Sequence, residues 1–155
     1  MQLKTWQKQI LSAIVVLAGG FVLFNLAFML AAAVSQVYRL AVRLFGGQET
    51  MAIQSGVWQY IYLVIVLLIS WFILRSKWPD LVKATYLTMP LMVVLIMIGI
   101  WLYEQPQWLP IGIGAVVVGA VFVYLYVKKQ SWLYYLATAY TGLLALFVVL
   151  TGIDI

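Results

Sequence analysis

The stretch that decides the fold is QILSAIVVLAGGFVLFNLAFMLAAAV, residues 9–34, which contains no Asp, Glu, Lys or Arg. About 20 apolar residues are needed for a helix to cross roughly 30 Å of hydrocarbon. The stretch also exceeds the roughly 7–15 apolar residues of a secretory signal peptide. It therefore predicts a membrane-spanning helix.

Four further apolar runs follow, and the whole chain of 155 residues is 66% hydrophobic and only 8% charged. Its mean hydropathy is +1.09, whereas roughly a quarter of the residues of a soluble domain are charged. Short connections place consecutive spans next to each other with opposite directions. The sequence predicts an all-α integral membrane protein, residues 1–155 forming one domain, with five helices in an antiparallel bundle. The predicted spans are about 9–34, 57–74, 84–103, 109–127 and 131–153.

The distribution of basic residues predicts the orientation of these spans. If the N-terminus is cytoplasmic, seven of the nine Lys and Arg residues fall on the cytoplasmic side, and only Arg39 and Arg43 fall outside. An excess of Lys and Arg in short loops marks the cytoplasmic face. We therefore expect a cytoplasmic N-terminus and an external C-terminus. Together with the composition, this points to an integral protein of a bacterial-type plasma membrane.

The segment after the first span, about 36–45, is predicted to be a short amphipathic helix at the outer face, either continuing the first span or lying flat at the interface. Arg39 and Arg43 are four residues apart and share one side of it. Long basic side chains reach toward lipid phosphates, so the leading interpretation is contact with anionic headgroups. The alternative is an external anionic site, or a cap in which the arginines pair with Glu49, Glu104 or Asp154.

Three polar side chains within the spans are predicted to make intramembrane contacts. Asn25 is an amide deep in the first span, and Thr138 and Thr141 lie in the fifth. An amide in hydrocarbon seeks a hydrogen-bonding partner on another helix, so Asn25 indicates a packing contact or part of a ligand or ion path. Threonines often bond only to their own helix, which leaves both interpretations open for the fifth span.

Small residues and one proline predict local helix geometry. Small side chains three or four residues apart let helices approach closely, either inside the bundle, which we favour slightly, or in a homo-oligomer. Pro90 lacks a backbone donor and predicts a kink, either static or acting as a hinge. The predicted packing residues are Ala27, Ala31, Gly112, Ala115 and Gly119.

Several chemistries are disfavoured by what the sequence lacks. There is no cysteine and no histidine, and the four acidic residues lie in predicted connections or at the C-terminus. We therefore expect no metal, no cofactor and no nucleic-acid partner. The expected partners are membrane lipids, including anionic headgroups, and either another membrane protein or a second copy of the chain.

Three functions remain, in decreasing order of preference. The first is a non-enzymatic accessory, scaffold or regulatory subunit of a membrane system, because charged groups that couple transport or perform catalysis are absent from the spans. The second is a small transporter, channel or carrier of a lipid or other hydrophobic ligand. The third is a lipid-processing enzyme at the outer surface that would use Arg39, Arg43 and Glu104.

Overall fold

The computed structural model describes residues 5–45 and 56–151, with only the backbone of Phe45 and Thr151. Within these residues 89% are helical and no strand is present. All five helices are long and apolar enough to cross a membrane, which confirms the prediction of an all-helical fold with five helices of membrane-spanning length. The helices are α1 (Thr5–Phe45), α2 (Val57–Arg75), α3 (Asp80–Trp101), α4 (Trp108–Val127) and α5 (Trp132–Thr151).

The segment 36–45 continues the first span, because α1 is one uninterrupted helix of 41 residues; this is the first of the two predicted arrangements, and no separate outer helix follows the span. The chain between Val34 and Phe45 contains no glycine or proline that would break the helix. Ser35 donates its hydroxyl to the carbonyl of Ala32, within the same helix. At 1.5 Å per residue α1 is about 62 Å long, roughly twice the thickness of the hydrocarbon core.

Helix α3 is the centre of the bundle. In the most apolar 18-residue stretch of each helix, 61% of the residues of α3 are buried but only 6% of those of α4. It packs most extensively on α5 and α1, and next on α2. Pro90 is buried in it, and the helix continues through the proline. The Thr88 hydroxyl donates to the Thr85 carbonyl, 2.7 Å away, rather than to the Tyr86 carbonyl that Pro90 leaves without its helical donor.

Two hydrophobic clusters meet along α3. The first joins α1, α2 and α3 around residues that include Ala27, Val66 and Val93. The second joins α1, α3, α4 and α5, and includes Ala84 and Ala137, both with no exposed surface. Helix α4 therefore reaches the core only at its C-terminal end, where it contributes Leu125 to the second cluster. The rest of α4 is half-buried or exposed, and it packs mainly on α5.

The described connections are short and hydrogen-bonded. At the end of α4, Lys129 has a φ of 49°, and the amide of Gln130 donates to the carbonyl of Leu125. This arrangement closes the helix with a left-handed residue just beyond its C-terminus. The ring of Tyr60, in the first turn of α2, stacks on the ring of Trp101, the last residue of α3, with the centroids 5.1 Å apart. Consecutive helices from α2 to α5 are therefore in contact with each other.

Candidate functional site

The charged residues predicted to bind an anion, Arg39, Arg43 and Glu104, form no ion pair with one another. Arg39 and Arg43 are exposed on the last two turns of α1, and neither forms an ion pair with an acidic residue in the described part of the chain. Glu104 is exposed in the connection between α3 and α4. The other two proposed acidic partners, Glu49 and Asp154, lie outside the described residues. Among the described residues, the structure thus brings no charged pair of the predicted external site together.

Asn25 faces away from the bundle, although it lies near the middle of the apolar part of α1. Its side-chain nitrogen donates to the Phe21 carbonyl in the preceding turn, 2.8 Å away, and its surface is exposed. Successive helical residues turn by about 100°, so Asn25 lies about 200° from buried Ala27. Among the described residues, no other helix forms a hydrogen bond with the amide. A polar contact with another helix would therefore need a partner outside the described residues.

Thr138 and Thr141 are buried in α5, and each bonds to its own helix. Their hydroxyls donate to the carbonyls of Tyr134 and Ala137, each over 2.8 Å. Because these bonds satisfy the donors locally, the two residues present no free hydroxyl proton toward a path through the bundle.

The polar contact that the sequence did not predict is a hydrogen bond between helices. The hydroxyl of Tyr62 in α2, only 2% exposed, donates to the backbone carbonyl of Ala27 in α1 over 2.8 Å. Nearby, the hydroxyls of Ser70 and Tyr86 lie 3.5 Å apart. Ala27 belongs to the first hydrophobic cluster and Ala31 packs against it. A tyrosine away from the span ends was the available signal, since its hydroxyl needs a partner in hydrocarbon.

We expect Tyr62→Phe to lower the free energy of unfolding by about 1 kcal/mol, the typical size of an interhelical hydrogen bond in a membrane. The carbonyl of Ala27 keeps its place in the α1 helix, so the loss should be confined to this bond. Unfolding of the purified protein in mixed micelles by increasing SDS measures the change. Tyr60→Phe is the matched control, because Tyr60 lies in the same helix but is 56% exposed. An equal loss in both variants would contradict the assignment.

Gly19 and Gly20 mark the closest approach of α1 to α3. A Cβ atom at Gly19 would lie 2.6 Å from Cγ2 of Thr85, and one at Gly20 would lie 3.1 Å from Cγ2 and Oγ1 of Thr88. Carbon atoms in contact are normally 3.5–4.0 Å apart. Only glycine therefore fits at position 19 without a shift of its neighbour. The pair was visible in the sequence, but which helix it meets was not.

The small residues of α4 have a different environment. No atom of another described segment lies within 4 Å of a Cβ built at Gly112 or Gly119, and Ala115 is also exposed. Gly112 and Gly119 therefore do not let α4 approach another helix of the described bundle. A packing role for them remains a prediction about contacts with other molecules.

An apolar cleft lies between α3, α4 and α5. Its volume is about 410 Å³, and its lining includes Gly99, Pro110, Phe122, Ala139 and Val149. No residue in the lining has a charged or polar side chain. The cleft spans α4 from Pro110 to Phe122, about 18 Å at 1.5 Å per residue. None of Asn25, Pro90, Thr138 or Thr141 lines it, so it fits a hydrophobic group rather than an ion or polar solute.

Comparison with known proteins gives no relative for this chain. No family model, no curated protein and no solved structure matches it. Among the described residues, no group of three or more acidic side chains could hold a metal ion. The candidate sites are therefore the outward face of α1 around Asn25 and the apolar cleft beside α4.

Proposed function

We propose that the protein is a small non-enzymatic membrane protein that serves as an accessory, scaffold or regulatory subunit by binding another chain within the membrane. The observation that carries this proposal is the exposed amide of Asn25 on the outward face of α1. A side-chain amide in hydrocarbon favours association, because a partner helix can complete its hydrogen bonds. The bundle itself offers Asn25 only the carbonyl of its own helix.

Two further features support a binding role. No Asp, Glu, Lys or Arg lies between Lys8 and Arg39 or within α4 and α5, and such residues usually mark ion or proton pathways. The buried hydroxyls of Thr138 and Thr141 donate to carbonyls of their own helix. Both features favour a protein that acts through its outer surface over one that moves a polar solute through its centre.

The proposed arrangement in the membrane follows the charge distribution. The N-terminus is cytoplasmic, the C-terminus is external, and the five helices form an antiparallel bundle in a bacterial-type plasma membrane. The stacked rings of Tyr60, at the start of α2, and Trp101, at the end of α3, support an antiparallel pair. With this orientation Arg39 and Arg43 lie at the outer surface, where anionic headgroups are their natural partners.

The experiment is affinity purification of the tagged chain from its host membranes in native-lipid discs, followed by mass spectrometry. We expect another membrane-protein chain, or an untagged copy of this chain, to co-purify with the wild type in a fixed ratio. An Asn25→Leu variant, expressed equally, should lose it. Val116→Ala is the control, because Val116 is 72% exposed on α4 and does not line the apolar cleft. A chain that purifies alone with its lipids would refute the proposal.

A second candidate function is the binding of a lipid acyl chain or another hydrophobic ligand in the apolar cleft. The observation that favours it is a cleft of about 410 Å³ lined only by apolar side chains, a volume within the usual range of ligand sites. Replacing Gly142 in the lining with Leu should reduce the amount of lipid or ligand that stays bound through delipidation. Unchanged retention, measured by mass spectrometry of extracted lipids, would eliminate this candidate.

A further inference from the structure

Helix α1 presents a regular surface to the outside of the bundle. From Leu11 to Gln36, residues at alternating steps of four and three are all exposed. We call this surface the outer seam; its central members are Ala18, Val22, Asn25, Met29 and Ala32. A repeat of 3.5 residues is the spacing at which two helices stay in contact by coiling around each other. The opposite side of α1, with Val16, Gly20 and Ala27, is buried against the bundle.

We infer that the outer seam binds the outer seam of a second copy of this chain, with the two Asn25 side chains hydrogen-bonded to each other. The inference rests on the proposed function and names its partner. The excess of Lys and Arg on one side sets the same proposed orientation for every copy, so a twofold pair along the membrane normal has parallel α1 helices. Each seam residue then faces its counterpart in the second copy.

The chemistry of Asn25 selects a second copy over an arbitrary apolar partner. Its nitrogen already donates to the Phe21 carbonyl, while its oxygen accepts no hydrogen bond from a described residue. An amide offers two donors and an acceptor, so two facing amides satisfy each other by exchange of a donor and an acceptor. A partner with only apolar side chains would leave the Asn25 oxygen unsatisfied in hydrocarbon.

The residues around Asn25 suit close contact. Ala18 and Ala32 lie one seven-residue repeat before and after it in the seam, and small side chains let helix backbones approach. Arg39 and Arg43 continue the same spacing beyond Gln36, where like charges oppose contact. Their side chains are long, exposed and able to turn toward headgroups. The pairing is therefore confined to the apolar part of α1.

The first experiment measures energy transfer between two populations of purified chain in phosphatidylcholine and phosphatidylglycerol vesicles. Gln105→Cys, in an exposed connection of a chain without cysteine, carries the dyes. We expect saturable transfer as the protein-to-lipid ratio rises. Asn25→Leu should weaken the association about 3- to 30-fold, whereas Asn25→Gln keeps the amide and should retain most of it. No saturable transfer, or identical curves for wild type and Asn25→Leu, would overturn the inference.

A second experiment locates the contact by disulfide cross-linking of single-cysteine variants in the same vesicles. Ala18→Cys and Ala32→Cys should give covalent dimers, and Val116→Cys, on the exposed side of α4, should not. Cross-linking of Val116→Cys alone would place any dimer elsewhere and overturn the inference. If the wild type is monomeric in vesicles but co-purifies with a different chain from native membranes, the self-pairing fails while the proposed function stands.

Discussion

Gly19→Ala is expected to destabilise the bundle by roughly 1–3 kcal/mol, the usual cost of adding a methyl group where there is no space. The new Cβ would lie 2.6 Å from Cγ2 of Thr85. Relief requires α1 to move away from α3 or Thr85 to rotate. Rotation would break the hydrogen bond of its hydroxyl to the Leu81 carbonyl. The free energy of unfolding, measured by SDS titration in mixed micelles, gives the change.

A matched control and a rescue identify the cause. Gly112→Ala adds the same methyl group where no atom of another described segment lies within 4 Å, so its stability should be unchanged or higher by up to about 1 kcal/mol from helix propensity. Thr85→Ser removes Cγ2 and keeps the hydroxyl, and should recover much of the loss when combined with Gly19→Ala. An equal effect of Gly19→Ala and Gly112→Ala would contradict the close approach of α1 to α3.

Ala137→Leu is expected to destabilise the bundle by roughly 1–3 kcal/mol or more through overpacking. Ala137 has no exposed surface, and it shares the second hydrophobic cluster with Ala84, which is also fully buried. Three added carbon atoms would force α5 away from α3, the most extensive helix contact in the bundle. Thermal unfolding in bicelles, followed by circular dichroism, measures the effect.

Ala139→Leu is the control for this change, because Ala139 is in the same helix and lines the apolar cleft. Residues two positions apart in a helix point about 200° apart around its axis, so Ala137 and Ala139 face different surroundings. The cleft has room for the larger side chain, and we expect a change within about 0.5 kcal/mol. If Ala139→Leu were the more damaging variant, the orientation of α5 about its axis would be wrong.

The sequence predicted the helices well because the bilayer imposes a length and a composition that are visible without any tertiary contact. For the end of α1, the arginines at 39 and 43 left two arrangements open, a helix that continues the first span and one that lies flat at the outer face. The lack of any glycine or proline between Val34 and Phe45 lets the helix continue. Periodicity of charge does not distinguish the two arrangements, whereas continuity of helix-forming residues favours the first.

Which face of each helix is buried was much harder to predict. In spans as uniformly apolar as α4, the hydrophobic pattern does not distinguish the core from the outside. Gly19 and Gly112 look alike in the sequence, yet one meets Thr85 and the other meets nothing within the described bundle. Asn25 was found because an amide is rare in hydrocarbon, but its outward orientation follows only from how α1 packs.

If this bundle acts by association inside the membrane, the protein in its native lipids should have the mass of more than one chain. Native mass spectrometry of discs cut from the membrane without detergent reports the chains that stay together. We predict a complex larger than the 17.5 kDa chain, with most of it reduced to the single chain by Asn25→Leu. A single chain of 17.5 kDa for the wild type at every expression level would contradict the proposed association with another chain.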